Sequence, residues 1–394
     1  MVNNYEESTN KIIEFAKKDK SELKIDGTIG VLVNEDGRLN EIKLINKFIK
    51  KNLNYKTKGY GDILGDKEFN EFIIKWIFSK NYKEMVSSFS FGATSALSFL
   101  FSKYCLNKRL LVPSLRWRNY DLIAKENNIK LKEYNFFDQN KFNIKSLKLL
   151  IEKESLINDE INILINDPCH NPTGYSLSTC EWEEILSFIL KTSLKSKINL
   201  ILDIAYIDYS KYRLQNLFDI INKVNENINI FFTFSFSKSF GLYGYRGGAC
   251  ILYSLSTKER EDFINRMKLY CRSTFSSCNT LLTSTFKNIY LNKENIKKRI
   301  KDNIYLLKKR AWILIKMLDS EDIDYYPYEE GFFLLIKCFD SISICEALIK
   351  EHVYLLPCKN GVRVSIGSIP IDKIGPLVKK LKICLLKNSK ISVN

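Results

Sequence analysis

One lysine, Lys238, stands where its amine can act as a nucleophile. It lies in S-F-S-K-S-F-G-L-Y-G-Y-R-G-G (residues 235–248), just after the apolar run 230–234, which predicts a β-strand. A lysine held at a strand end can form an imine with an aldehyde. Ser235 and Arg246 are suited to a phosphate, Arg246 through a bidentate contact. The stretch predicts a site for a phosphorylated aldehyde; the alternative is a turn with an ordinary surface lysine and arginine.

Polar and aromatic side chains also follow other apolar runs. Five runs are separated mostly by helical stretches: Leu110–Val112, Ile161–Ile165, Ile198–Asp203, Ile230–Phe234 and Ala249–Tyr253. This alternation predicts an α/β fold with a largely parallel sheet. The residues at or beyond the first four run ends include Trp117, Asn119, Asn171, Asp203, Tyr206, Ser235 and Lys238. Because ligands collect at the carboxyl ends of parallel strands, we expect these side chains to converge on one crevice.

The residue types in this set match the needs of a pyridine aldehyde. A carboxylate such as Asp203 can keep a pyridine nitrogen protonated, and the ring then accepts electrons released at a substrate carbon. Tyr206 and Asn171 can hydrogen-bond a phenolic ring oxygen. Trp117 can stack on the ring, and Arg363 can bind a substrate carboxylate. Each residue alone also fits a cap, a turn or a core position, so the hypothesis depends on their joint occurrence.

A second candidate for phosphate binding lies at Gly92, Ala93 and Thr94, just before a helical stretch. Small residues at the start of a helix leave backbone N–H groups open to an anion. The alternative is an ordinary N-cap at Thr94 or Ser95.

The composition is typical of a globular protein large enough for two domains. A chain of 394 residues with 45% hydrophobic residues can form two domains, or one large α/β domain with a smaller companion. The formal charge of +16 is spread along the chain, which indicates a general Lys, Asn and Ile bias and argues against nucleic-acid binding. A positive field can still concentrate anionic substrates and a phosphorylated cofactor.

The patterns of cysteine, histidine and apolar residues argue against a Cys/His metal site, secretion and membrane insertion. The ten cysteines form no C-x-x-C pair and there are two histidines, so no metal site of the usual Cys/His spacing is expected. The first ten residues lack a secretion signal, and no apolar run approaches bilayer length. We therefore expect a cytoplasmic protein that does not bind membranes.

Eight motifs together resemble class I aminotransferases, which are fold type I pyridoxal-phosphate enzymes, and particularly the aspartate aminotransferase group. They are Y-G-D-I-L-G (60–65), G-A-T-S-A-L (92–97), W-R-N-Y (117–120), H-N-P-T-G (170–174), D-I-A-Y (203–206), S-F-S-K-S-F-G-L-Y-G-Y-R-G-G (235–248), C-R-S-T-F-S-S-C-N (271–279) and V-R-V-S-I-G (362–367). They span nearly the whole chain. The lysine motif together with H-N-P-T-G and D-x-A-Y is highly specific.

The resemblance implies a fold and an assembly. A large domain at 46–305 would hold a mostly parallel, seven-stranded sheet flanked by helices. A smaller α+β domain would combine 1–45 with 306–394. A long helix predicted at 292–318 connects the large domain to the C-terminal part. In this family Tyr60 reaches the phosphate bound by the neighbouring subunit, so the resemblance implies a homodimer with shared active sites.

Residue roles follow from the same resemblance. Lys238 would be the Schiff-base lysine and proton shuttle, with Asp203 on the pyridine nitrogen of pyridoxal 5'-phosphate (PLP). The other implied cofactor residues are Asn171 and Tyr206 on the ring oxygen, Trp117 on the ring face, and Ser235, Arg246, Gly92, Ala93, Thr94 and Tyr60 on the phosphate. The implied substrate residues are Arg363 on the α-carboxylate, Arg272, Gly30, Asn171 and Trp117.

Arg272 and three departures bear on the substrate. Arg272 matches the arginine that dicarboxylate-specific members send from the partner subunit to the distal carboxylate; the alternative is a surface arginine without a ligand. Gly92 stands where the aspartate group often has serine, and Tyr120 stands where many members have a histidine bonded to the aspartate under the ring. Two extra residues, Leu115 and Arg116, precede Trp117.

The sequence thus predicts a PLP-dependent aminotransferase that acts on an L-amino acid, with aspartate or a related dicarboxylic acid favoured, and on 2-oxoglutarate or another 2-oxo acid. Ping-pong kinetics are expected. The alternatives are an aminotransferase for an aromatic or pathway-specific amino acid, a PLP-dependent lyase or decarboxylase, and a non-catalytic binding or regulatory protein on the same fold.

Overall fold

The structure, a computed structural model, describes residues 2–80, 82–211 and 220–391. The chain divides into two compact units. The first comprises Met1–Asn40, Cys169–Ser176 and Lys301–Asn394, and the second comprises Glu41–Pro168 and Leu177–Ile300. The two domain boundaries predicted from the sequence lie a few residues later, after 45 and 305. The sequence did not assign the short segment Cys169–Ser176 to the smaller domain.

The elements of the described chain are as follows. The strands are β1 (Ile25–Asp26), β2 (Met85–Ser90), β3 (Arg109–Pro113), β4 (Lys130–Tyr134), β5 (Phe137–Asp138), β6 (Lys141–Phe142), β7 (Glu160–Asn166), β8 (Lys197–Asp203), β9 (Ile228–Ser235), β10 (Gly248–Tyr253), β11 (Phe333–Lys337), β12 (Val353–Tyr354), β13 (Leu356–Cys358) and β14 (Gly361–Ser365). The α-helices include Val2–Lys18, Lys43–Asn52, Lys67–Phe78, Gly92–Leu100, Asn119–Glu126, Ile144–Ser155, Thr179–Thr192, Phe236–Ser239, Thr257–Thr274, Thr280–Leu291, Lys293–Ser320, Ser341–Ile349 and Ile371–Ile391. Short 3₁₀ turns lie at Tyr55–Lys58, Ile207–Tyr209 and Ile366–Ser368, and a π-turn lies at Phe101–Cys105.

A seven-stranded sheet forms the centre of the second unit. Its strand order is β2-β10-β9-β8-β7-β3-β4, and β10 is antiparallel to both of its neighbours while the pairs from β9 to β4 are parallel. The prediction of a largely parallel α/β sheet is confirmed. Strands such as β9, I-N-I-F-F-T-F-S, are buried along their whole length, which explains why they are apolar runs without alternation.

Two rows of polar side chains cross the central strands β7, β8 and β9. Near the amino ends, Asn162, Asn199 and Asn229 pair in register. Asn199 Nδ2 donates to Asn162 Oδ1 at 3.0 Å and Asn229 Nδ2 donates to Asn199 Oδ1 at 3.1 Å. Four residues further along each strand, and therefore on the same face of the sheet, stand Asn166, Asp203 and Thr233. We call these the amide row and the Asp203 row; a buried apolar row of Leu164, Ile201 and Phe231 lies between them.

The first unit contains two smaller sheets. β1 pairs in parallel with β12, and β11, β14 and β13 form an antiparallel sheet in that order. A long helix, predicted at 292–318, spans Lys293–Ser320. Its Arg310 is fully buried and donates to Glu35 Oε1 at 2.8 Å and to the main-chain oxygens of Val33 and Gly367. These contacts fix the segment that follows β1.

No helix in the described part of the chain combines the length and apolarity needed to cross a membrane.

Candidate active site

Asp203 ends β8 as a buried carboxylate held by three donors. Tyr120 Oη donates to Oδ2 at 2.5 Å, and Oδ1 accepts from the Ala205 amide at 3.2 Å and from Thr233 Oγ1 at 3.3 Å. Burial raises the pKa of Asp203 above its ordinary value, although these donors and the charge of Lys238 oppose the rise. Asp203 can therefore serve as an anion only where its charge is compensated.

The strands bring the partners of Asp203 to it. Thr233 pairs with Asp203 in the register of β8 and β9. Asn166, at the end of β7, donates from Nδ2 to the main-chain oxygen of Asp203 at 2.9 Å. Tyr120 lies in the first turn of the helix Asn119–Glu126 and is fully buried. The carboxylate is consequently fixed from three neighbouring elements.

Lys238 lies in a one-turn helix, Phe236–Ser239, that follows β9. Ser235 begins this helix and accepts from the Ser237 amide at 3.3 Å. Lys238 Nζ lies 5.6 Å from the ring centroid of Tyr206 and 5.1 Å from that of Tyr243. Because Tyr206 follows Asp203 by three residues, the predicted nucleophile and the predicted ring partner share one part of the second unit. The charge of Lys238 opposes the rise in the pKa of Asp203 that burial causes.

Gly92 and Arg246 meet at the start of the helix Gly92–Leu100. Gly92 has φ +79°, and a Cβ atom built on it would lie 3.0 Å from Arg246 Nη2. A Cβ on Gly248 would lie 2.9 Å from Gly92 Cα, so both glycines permit close packing. Where the structure describes this helix, no side chain caps its first turn. A guanidinium beside open N–H groups is suited to a phosphate.

Arg246 itself adopts φ +57°, a conformation that is uncommon for a residue other than glycine. Its Nη1 donates to Tyr243 O at 2.9 Å and to Ser237 Oγ at 3.2 Å. The serine in contact with this arginine is thus Ser237, and the predicted Ser235 acts as the cap of the one-turn helix. Beside Gly92, Ala93 is buried and Thr94 is half-buried.

Trp117 is half-buried and lies edge-to-face with Tyr120, with ring centroids 5.5 Å apart. It therefore contacts the side chain that holds Asp203.

Arg363 in β14 is the centre of a separate cluster in the first unit. It is 8% exposed, and its guanidinium lies 4.5 Å from the ring centroid of Phe333. Nη2 donates to Thr28 O at 2.6 Å and Nη1 donates to Asn171 Oδ1 at 3.3 Å. The structure thereby brings together two predicted substrate residues, Arg363 and Asn171. Gly30, a third, lies two residues after Thr28 and is half-buried.

Tyr60 and Arg272, the residues predicted to reach a partner subunit, are exposed. Tyr60 is 93% exposed, and Arg272 lies in the last turn of the helix Thr257–Thr274. The segments that carry them adjoin each other, since Thr280 Oγ1 donates to Thr57 O at 2.6 Å and the Cys278 amide donates to Asp62 O at 3.3 Å. Both side chains are therefore presented by neighbouring parts of the second unit.

The structure adds contacts that the sequence did not predict. They are Thr233 and the Ala205 amide on Asp203, Ser237 on Arg246, Tyr243 beside Lys238, and Phe333 and Thr28 on Arg363. Ser237 and Tyr243 lie in the lysine motif, so proximity in sequence was an available signal. The pairings of Thr233 and Phe333 depend on strand register, for which the sequence holds no local signal.

Comparison with known proteins identifies the family. The family model "Aminotransferase class I and II" matches residues 28–381. The chain belongs to this family.

Individual aminotransferases show the range of relatives. The aspartate aminotransferase of Pseudomonas aeruginosa is 24% identical over 264 residues, which are 64% of this chain and 65% of that enzyme, so the match spans slightly less than two thirds of its length. An aminotransferase from Anaerococcus prevotii has a TM-score of 0.89 with 26% identity, and the match covers 96% of each chain. The aromatic-amino-acid aminotransferase of Burkholderia pseudomallei, solved covalently bound to pyridoxal phosphate, has a TM-score of 0.80 at 18% identity over 95% of this chain and 96% of that one.

Class I aminotransferases are PLP-dependent, and this chain has residues that fit PLP. The second unit supplies a lysine amine, a buried carboxylate with a neighbouring positive charge, and a helix start at which Gly92 leaves room for Arg246. Lys238, Asp203, Tyr206 and Arg246 would hold the cofactor. Among the residues described, no group of three or more His, Cys, Asp or Glu side chains is placed to hold a metal ion.

Proposed function

We propose that this chain transfers an amino group from an L-amino acid to a 2-oxo acid, with aspartate or a related dicarboxylic amino acid as donor and 2-oxoglutarate or another 2-oxo acid as acceptor. The observation that carries the proposal is the position of Lys238 Nζ, 5.6 Å from the ring centroid of Tyr206, which follows the buried Asp203 by three residues, together with the close approach of Gly92 and Arg246. Membership of the aminotransferase family supports the same reaction.

Lys238 moves the proton. PLP, when bound, accepts the electrons left at the substrate Cα when that carbon loses its proton. Lys238 Nζ would hold the cofactor covalently and, once free, would take the substrate Cα proton as a general base. The rings of Tyr206 and Tyr243 flank Nζ at 5.6 and 5.1 Å and restrict its position. The Lys238 amine would hold this proton between its removal and its delivery.

Further residues would hold the cofactor in this proposal. Asp203 would bind the pyridine nitrogen and keep it protonated, and Tyr206 and Asn171 would hydrogen-bond the ring oxygen. Trp117 would cover the ring face.

The phosphate would bind at the first turn of the helix Gly92–Leu100, which includes Ala93 and Thr94, and to Arg246. Ser235 and Ser237 lie in the same segment as Arg246, and Tyr60 of a partner subunit would add a further donor.

Arg363 binds the substrate α-carboxylate. Its guanidinium is fixed before substrate arrives, because Phe333, Asn171 and Thr28 O hold it at 4.5, 3.3 and 2.6 Å. A preorganised bidentate donor loses little entropy on binding a carboxylate. Gly30, two residues after Thr28, is a further substrate residue in this proposal.

Arg272 and Tyr60 support a homodimer with shared active sites. Both are exposed on adjoining segments, and exposed apolar side chains lie in the same parts of the chain, including Leu53, Tyr55 and Leu269 at 64%, 78% and 70% exposure. Such a surface is suited to a partner chain. We propose that Arg272 binds the distal carboxylate of a dicarboxylic substrate bound by the partner subunit. Ten cysteines without a disulfide agree with a cytoplasmic location.

A second candidate is an aminotransferase for aromatic amino acids, because one structural relative has that activity and because Tyr120 and the Leu115–Arg116 insertion alter the surroundings of Trp117. A PLP-dependent lyase or decarboxylase on the same fold is the third.

One assay separates these functions. The PLP-loaded protein is incubated with a panel of amino donors and 2-oxoglutarate. A transaminase yields glutamate and a new oxo acid in equal amounts, whereas a lyase or decarboxylase yields no stoichiometric glutamate. We expect aspartate to be used in preference to phenylalanine.

Lys238 variants test the assignment of the nucleophile. Lys238→Ala and Lys238→Arg are expected to lose turnover and the visible absorbance of covalently held PLP, because neither side chain forms an imine. Lys238→Arg retains the positive charge beside Asp203 and so serves as the matched control for charge. A variant that keeps both signals contradicts the proposal.

A further inference from the structure

The hydroxyl of Tyr120 lies on the buried carboxylate that binds the cofactor in the proposed function. We infer that Tyr120 is a positioning residue that keeps Asp203 in its anionic form, so that the proton between Asp203 and the PLP ring nitrogen stays on the nitrogen. The inference rests on the proposed function and assigns a role to the residue that departs from the family pattern.

The hydrogen bonds of Asp203 leave one place for a further donor. An ionised carboxylate has about four acceptor positions. Among the described residues, the Ala205 amide and Thr233 Oγ1 donate to Oδ1, and Tyr120 Oη donates to Oδ2. The remaining position is on Oδ2, the oxygen that Tyr120 already orients. A single N–H of the cofactor ring completes the set.

Burial makes the donor from Tyr120 necessary. Asp203 is 4% exposed, and burial raises its pKa because the charged form loses its hydration. The hydrogen bond from Tyr120, at 2.5 Å, is the shortest of the three and opposes this effect. Without it, the carboxylate becomes more basic, and the proton shared with the ring nitrogen shifts toward Asp203. The ring then accepts electrons less well.

A phenol supplies this donor without adding a charge. Burial, followed by the charge of Asp203, raises the pKa of Tyr120 well above its ordinary value, so the hydroxyl keeps its proton. An imidazole at this position would change charge near neutral pH. The other titratable groups that face the pair are Lys238, Tyr206 and Tyr134. We therefore expect the state of the ring nitrogen in this chain to be constant through neutral pH.

Tyr134 provides a matched control for removal of a buried hydroxyl. It is 1% exposed, lies in β4 of the same sheet, and donates from Oη to Leu164 O at 3.3 Å, away from the Asp203 carboxylate. Tyr134→Phe removes the same atoms from the same unit and leaves the three hydrogen bonds of the Asp203 carboxylate in place, although Tyr134 faces Tyr120.

The test uses full-length protein loaded with PLP that carries ¹⁵N at the ring nitrogen. The ¹⁵N resonance reports the protonation of that nitrogen, and a PLP titration gives the dissociation constant. In the wild type and in Tyr134→Phe we expect a protonated ring from pH 6 to about pH 8. In Tyr120→Phe we expect a resonance shifted toward the unprotonated position and about tenfold weaker PLP binding, as for loss of a hydrogen bond to a charged group.

Two further measurements show whether Tyr120→Phe changes the interaction of Asp203 with the ring or only lowers the stability of the fold. Thermal unfolding of each protein identifies a variant that is only less stable. Tyr120→His restores a donor whose charge titrates, so its ring resonance should move with pH near neutrality. A Tyr120→Phe protein that keeps the wild-type resonance and PLP affinity overturns the role of Tyr120. A wild-type protein that takes up no PLP at Lys238 instead overturns the proposed function.

Discussion

The guanidinium of Arg246 occupies the space beside Gly92 where a side chain would otherwise stand, because a Cβ on Gly92 would lie 3.0 Å from Arg246 Nη2. The absence of the serine common at this position in the aspartate group thus has a structural reason. The positive φ of Gly92, +79°, also favours glycine.

Gly92→Ala is therefore expected to weaken PLP binding about tenfold, because the new methyl group displaces Arg246 from the phosphate. The measurement is the PLP dissociation constant from visible absorbance. Gly37→Ala is the control: Gly37 has φ +78° but nothing within 4 Å of its built Cβ. Both variants share the backbone strain of about 1 kcal/mol, and only Gly92→Ala should lose PLP affinity. Equal PLP affinities in the two variants would contradict the assignment of the phosphate site.

Arg272→Ala tests the preference for dicarboxylic substrates. We expect kcat/KM for aspartate to fall about 10- to 100-fold, since a charge-assisted contact is lost, while kcat/KM for phenylalanine changes little. Lys268→Ala is the matched control, because Lys268 is an exposed cation one turn earlier on the same helix. If the aspartate-to-phenylalanine ratio stays at its wild-type value in Arg272→Ala, the dicarboxylate assignment is wrong.

A mixture of Lys238→Ala and Arg272→Ala tests whether active sites are shared. In a hybrid dimer, one site combines the intact Lys238 of one subunit with the intact Arg272 of the other. After dissociation and reassociation of equal amounts we expect aspartate activity to recover to about one quarter of wild type, because half of the dimers are hybrid and each has one complete site. The unmixed variants are the controls. A mixture no more active than their average means that each site is built from a single chain.

Asp19 predicts how the stability of the first unit depends on pH. Burial raises the pKa of this carboxyl, but the Ser21 amide, His352 and Tyr354 outweigh that effect and lower the pKa to about 2, from 3.8. A lowered pKa stabilises the folded state at pH values above 3.8, and this contribution is lost as the pH falls through about 2. Asp19→Asn should therefore lower the free energy of unfolding by about 1 kcal/mol at neutral pH and by less near pH 2.

Urea unfolding across this pH range measures the difference between wild type and Asp19→Asn. Asp36→Asn, an exposed carboxylate in the same unit, is the control and should show little change at any pH. A difference that remains constant down to pH 2 would show that Asp19 acts through packing and not through its charge.

The family and its cofactor were more predictable from sequence than the internal contacts of the candidate site. Lys238 and Asp203 stand out because a polar residue ends or follows an apolar strand, a signal that is local in the chain. The bond between Tyr120 and Asp203 joins residues on different elements, so it depends on the strand order. The contact between Arg246 and Ser237 depends on the one-turn helix after β9, where the sequence predicted only a turn. The grouping of Cys169–Ser176 with the first unit likewise depends on tertiary packing.

The amide row bears on the Asp203 row although it lies about 13 Å away along the strands. A one-residue shift of β8 against β9 would turn Asp203 to the opposite face of the sheet. A two-residue shift of β8 against both neighbouring strands would break both amide hydrogen bonds. Misaligned pairings are thereby penalised at the amino ends of the strands. The three asparagines thus favour the register in which Thr233 meets Asp203, and they do so from the opposite end of the same strands.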